Sequence, residues 1–84
     1  MFLENLFKSK AERELDGIIS ELKQYLENNY KDQAHLMVAK LHTRAVELHD
    51  GGKLKDEKFV HYEKIFNKYT EELKHYNHRE FYKS

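Results

Sequence analysis

Three histidines, His35, His42 and His49, recur at intervals of seven residues. Imidazole is the side chain whose ordinary titration lies closest to neutral pH. On a helix this spacing draws a stripe along one side, because seven residues make almost two turns. Two chemistries would use such a stripe. One is proton sensing, in which half-buried rings charge below about pH 6.5 and loosen a packed seam or a dimer contact. The other is metal ligation, and geometry opposes it. Successive members of a heptad stripe stand about 10 Å apart along the helix axis, whereas a metal needs its ligand atoms within about 2 Å. The plainer reading makes these boundary histidines, flanked by Ala39 and Val46, on a helix that faces two neighbours.

Other candidate chemistry is thin. Glu72-x-x-His75 has the i,i+3 spacing of carboxylate-bridged metal bundles, but its nearest companion is Asp32-x-x-His35 and no inward Glu pair accompanies them. His75-x-x-His78 offers at most an adventitious metal contact, and His61 and His75 fall opposite the apolar seam among Lys64 and Lys68. Neither a metal nor a cofactor is therefore expected. Ser9, Ser20 and Ser84 lack a nucleophile elbow, Cys is absent, and Gly51-Gly52-Lys53 does not open a helix carrying Ser or Thr as a phosphate loop would. Three short helices also fill their own interior, leaving no cleft. The sequence reads as that of a protein without catalytic activity.

Composition narrows the remaining classes. Fifteen Lys and Arg balance fifteen Asp and Glu, so no net field draws the chain to nucleic acid or anionic lipid. No apolar run approaches the roughly 20 residues of a membrane span. The Met1–Lys8 stretch is too short and too acidic for a signal peptide. Together with the missing cysteines, this suits a reducing cytoplasm.

The elements that must carry these residues are helices, because Pro is absent and Gly occurs only three times. Ser9-Lys10-Ala11-Glu12 has capping-box spacing. It precedes an apolar arc of Ala11, Leu15, Ile18, Ile19, Leu22, Tyr25 and Leu26. Asn28-Asn29 ends this first helix, and Asn29 or Asp32 is expected to cap the second. Its seam is Ala34, Val38, Leu41, Ala45 and Leu48, and Gly51 is expected in the left-handed position that stops it. Leu54 and Phe59 bracket a third start at Lys55 or Asp56 as a hydrophobic staple. From there Phe59, Tyr62, Phe66, Tyr69, Leu73 and Tyr76 form a heptad seam with five aromatic members.

Short loops force antiparallel neighbours, so the predicted fold is all-α: one 84-residue domain forming an up-down-up three-helix bundle with helices over about 10–28, 32–50 and 56–79. Residues 1–8 and 80–84 are expected as appendages. Pivoting on the glycine pair sets Leu48 against Phe59, Ala45 against Tyr62, Leu41 against Phe66 and His35 near Glu72. Pivoting on Asn29-Tyr30 sets Ile18 against Leu41 and Leu22 against Met37. Helix 1 is expected to send only apolar residues inward, and the seam tyrosines to keep their hydroxyls wet or partnered by tipping toward its margins. Helices this long and antiparallel do not suit a DNA-reading helix-turn-helix, whose short helices cross steeply. No nucleic-acid partner is expected.

Protein–protein contact is the remaining function class. Phe2, Leu3, Leu6 and Phe7 precede the first cap, Phe81 and Tyr82 follow the last seam residue, and Leu36 falls on the outer face of helix 2. Either each end folds back as a lid on its own end of the bundle, or a homodimer or another protein partner buries these groups. The alternative is a small pH- or metal-responsive sensor using His35, His42 and His49. Residues Leu48-His49-Asp50-Gly51-Gly52-Lys53-Leu54-Lys55-Asp56-Glu57-Lys58-Phe59 resemble the hairpin of SHOCT-type bacterial modules, although Lys55 stands where those place Ser or Thr. That resemblance implies an oligomerisation or docking element. The N-terminal half, with its Leu-Phe start and Ile18-Ile19-x-x-Leu22, is similar to bacteriocin-immunity bundles, which implies an inhibitor-type role. Lys-, Asn- and Tyr-rich usage without Pro fits a bacterial or phage source.

Overall fold

The computed structural model of the chain describes residues 8–83, with side chains through residue 74. It forms three helices, α1 (Lys10–Glu27), α2 (Lys31–Asp50) and α3 (Asp56–Lys83), with no strand among the described residues. α2 is the middle member, packed on α1 along one side and on α3 along the other. α3 runs four residues past the expected end near 79, because no Gly or Pro follows Tyr76 to stop it. Residues 80–83 thus continue a helix, where an appendage was expected.

Each start and stop has a local cause. At α1 the Glu12 backbone N–H donates to Ser9 Oγ at 3.1 Å, and the Ser9 N–H donates to the Glu12 carboxylate at 3.5 Å. This is the capping box expected from the sequence, satisfying two donors that a helix start leaves open. α1 closes with Asn29 at φ 61°, the Tyr30 N–H reaching the Tyr25 carbonyl and the Asn29 N–H the Leu26 carbonyl. That pairing is a Schellman motif, and it removes Asn29 as a cap for α2. Asp32 is not the cap either, since it lies inside the first turn. The position falls to Tyr30, which makes no side-chain capping bond.

The second turn repeats the motif with one correction. Gly51 keeps φ −81°, its N–H still donating to Glu47 O, and Gly52 takes φ 75° instead. The helix therefore uses one more residue than expected before the chain reverses. Leu54, only 3% exposed, then joins the core cluster on which Phe59 packs, so the expected staple brackets the start of α3.

The core follows the three expected stripes. Leu15, Leu22, Leu41 and Leu73 are fully buried, as are the small Ala34 and Ala45; each sealed leucine is worth about 2 kcal/mol relative to exposure. Ile65, off the predicted seam, also packs on the cluster. One expectation fails here: α1 presents acids as well as apolar groups to the interior. Although Tyr62 is 2% exposed, its hydroxyl is partnered, as a seam tyrosine requires. Glu12 is buried, and Asp16 accepts the Tyr62 hydroxyl. A phenol can be buried in the seam when a carboxylate meets its tip.

Candidate functional site

His42 and His49 lie along the α2–α3 groove. His42 Nδ1 stands 2.9 Å from Glu63 Oε2, and its ring stacks on Phe66 at 4.6 Å between centroids. His49 Nε2 stands 2.6 Å from Asp56 Oδ1, and its ring stacks on Phe59 at 4.3 Å. The two rungs are one construction repeated. Moving seven residues along α2 from His42 to His49, and seven back along α3 from Glu63 and Phe66, gives Asp56 and Phe59. Antiparallel helices in a fixed register make this repeat automatic once each sequence carries its heptad. A third rung would need a carboxylate at 70 and a ring at 73, where the sequence has Thr70 and Leu73. His35, at that position of the stripe, is exposed.

The rungs also test the predicted register. His49 on Phe59 and His42 on Phe66 sit one residue over from the expected Leu48–Phe59 and Leu41–Phe66 pairs. Phe59 and Phe66 therefore each touch the boundary histidine beside the seam leucine. Among the described residues no three His, Asp or Glu side chains gather as a metal would require. The ladder is partly open to water: the His42 and Glu63 side chains are 44% and 24% exposed, and those of His49 and Asp56 are 30% and 96% exposed.

Polar contacts tie the other helix pairs. Between α1 and α2, Arg44 reaches both Glu14 carboxylate oxygens, Nη2 to Oε1 at 2.9 Å, and its Nη1 donates to Glu47. The hydrogen bond from Arg44 holds the Glu14 carboxyl below its ordinary range, with the charges of Arg44, Lys40 and Lys10 adding to it against some desolvation. Hydrogen bonds to Glu14 and Glu47 in turn raise the Arg44 guanidinium further.

Between α1 and α3, the Tyr62 hydroxyl donates to Asp16 Oδ1 at 2.8 Å, with the Glu12 carbonyl at 3.4 Å. Lys8 Nζ holds the other Asp16 oxygen at 2.6 Å, and Lys58 Nζ lies 3.8 Å from Glu12. Burial pushes the Tyr62 phenol well above its ordinary range, and its hydrogen bond to Asp16 and the charges of Asp16 and Glu12 push the same way. Sequence reasoning missed the pairings of Asp16, Glu14, Arg44 and Glu63, and for Glu12 it found only the capping role. A parallel offset of 46 from α1 to α3 relates both Glu12 to Lys58 and Asp16 to Tyr62; the same step takes Ile19 to Ile65, the off-seam residue packed on the core.

The surface features do not converge on a reaction centre. An open groove of about 580 Å³ lies at the start of α1 between Lys10, Glu14, Arg44 and Lys53, over Ala11 and Leu48. Its arginine is already engaged by two carboxylates. Leu36 is 66% exposed, as expected for an outward residue. Val60 and Tyr30, 50% and 55% exposed, extend the set of apolar surface groups. Leu36 and Val60 do not share a patch, because the α2–α3 register places Leu36 opposite residue 71, about 16 Å along the axis from Val60. Phe2, Leu3, Leu6 and Phe7 lie outside the described residues. Phe81 and Tyr82 belong to α3 by its backbone, and their side chains lie outside the described set. No family model matches this chain, and comparison with curated proteins and with solved structures finds no significant match.

Proposed function

We propose that this chain is a non-catalytic adaptor bundle of the cytoplasm that docks a protein partner or a second copy of itself. The observation that carries this reading is the length of α3. Residue 76 is the register partner of the start of α2, yet α3 continues to Lys83. Seven residues, about 10 Å of helix, therefore stand beyond both neighbours. A helical segment that short is marginal in water without something packed on it, and this one carries Phe81 and Tyr82 in its sequence. The resemblance of residues 48–59 to SHOCT-type hairpins supports the same role, as does the outward placement of Leu36.

Light scattering over a concentration series, beside affinity capture from the source cell, tests the proposal. Self-association or a captured partner is expected, weakened about tenfold or more by Phe81→Ser with Tyr82→Ser while thermal stability stays unchanged. A chain that remains monomeric to about 1 mM, and captures the same proteins with both residues replaced, overturns it.

A further inference from the structure

The two rungs of the α2–α3 ladder support a conclusion that does not depend on the docking role. The geometry points to a proton-operated clasp: His42 with Glu63 and His49 with Asp56 hold α3 on α2 more firmly when the imidazoles are charged. This reverses the direction expected from sequence, where charging a half-buried stripe was to loosen the bundle. The reversal comes from what faces each ring. His42 meets Glu63 at 2.9 Å and the face of Phe66, and His49 meets Asp56 at 2.6 Å and the face of Phe59. Adding a proton turns each contact into a charge-assisted hydrogen bond and sets a cation over an aromatic face.

The surrounding charges do not oppose this. On the α1 side of α2, Arg44 is neutralised by Glu14 and Glu47. The loop cations Lys53 and Lys55 are exposed, so water screens them. Because the unfolded chain offers the imidazoles no such partners, proton uptake favours the folded hairpin. By linkage, stability then rises on acidification, and the gain requires the facing carboxylates to be ionised.

Exposure keeps the effect small, since open ion pairs are individually weak. Urea unfolding of the full chain at about pH 8 and about pH 5.5 reads it directly. Acidification is expected to raise the folding equilibrium constant about three- to tenfold in the natural sequence, and less than about twofold in the Glu63→Gln/Asp56→Asn variant. His42→Gln/His49→Gln is expected to lose the response in the same way, and both variants fold because all four positions are partly open to water. An equal acid response in the carboxylate variant, or a natural chain that weakens over the interval, overturns the clasp.

Discussion

Replacing Tyr62 by Phe removes one oxygen from the best-buried ring among the described residues of α3 and leaves the packing in place. The ring is 2% exposed and its hydroxyl donates to Asp16 at 2.8 Å. Hydrogen bonds to charged acceptors contribute about 1.5–3 kcal/mol. Here the acceptor is partly wet, the Asp16 side chain being 35% exposed and held also by Lys8, so water takes over part of the lost bond. The expected cost is about 1–2 kcal/mol. With a urea slope near 1 kcal/mol per molar for so small a domain, the midpoint falls by about 1–2 M. Combining the change with Asp16→Asn in a double-mutant cycle isolates the pair and should give a coupling near 1 kcal/mol. The alkaline limb provides a second reading. The phenol's titration is raised in the fold, so the folded chain keeps a proton that the unfolded chain loses above about pH 10. Stability present below that pH therefore falls as pH rises, by up to about 1.4 kcal/mol per unit, and Tyr62→Phe lacks this slope. A variant within about 0.3 kcal/mol of the natural chain and with the same alkaline slope would refute the account of how α1 is held to α3.

Other substitutions test the remaining elements. Gly17 lies within α1 with open space where a Cβ would stand, so Gly17→Ala is expected to stabilise by about 0.5–1 kcal/mol, seen as a thermal midpoint several degrees higher. Gly52→Ala places a side chain at φ 75° and should cost about 1–2 kcal/mol in the same assay. Leu41→Ala empties a fully buried site on the middle helix; a loss of about 2–5 kcal/mol should appear in urea unfolding, enough to unfold much of the population. Glu14 titrates low because of Arg44, so its contribution is present above the ordinary glutamate range and is lost as pH falls through the lowered value. Glu14→Gln should flatten the acid limb of a circular-dichroism pH titration without moving the alkaline one.

The apolar periodicity of the sequence made the helices and two of the helix pairings legible, because burying one face of a helix leaves a period that can be counted. Ala34, Leu41 and Leu48 sit where that count puts them. Caps and turns were legible only where one residue had one duty. Asn29 could serve as the stop of α1 or the cap of α2, and the two-turn geometry used it for the first, leaving Tyr30 without a capping side chain. The polar contacts were least legible. Asp16 and Glu63 look like ordinary surface acids until a partner from another helix is placed beside them. Nothing in a single helix reports the offset of 46 that brings Asp16 to Tyr62, since α1 and α3 are not joined by a loop whose pivot could be read.

That offset has a further consequence. Once α2 and α3 have paired, α1 could lie on either flank of the hairpin, giving two bundles of opposite handedness that bury much the same apolar stripes. Apolar burial is non-directional and discriminates poorly between them. Moving α1 to the wrong flank would carry Asp16 and Glu12 away from Tyr62 and Lys58, leaving a buried phenol without its acceptor at a cost of about 1–3 kcal/mol. A single tyrosine hydroxyl thus acts as a chirality mark, selecting one of two near mirror-image topologies.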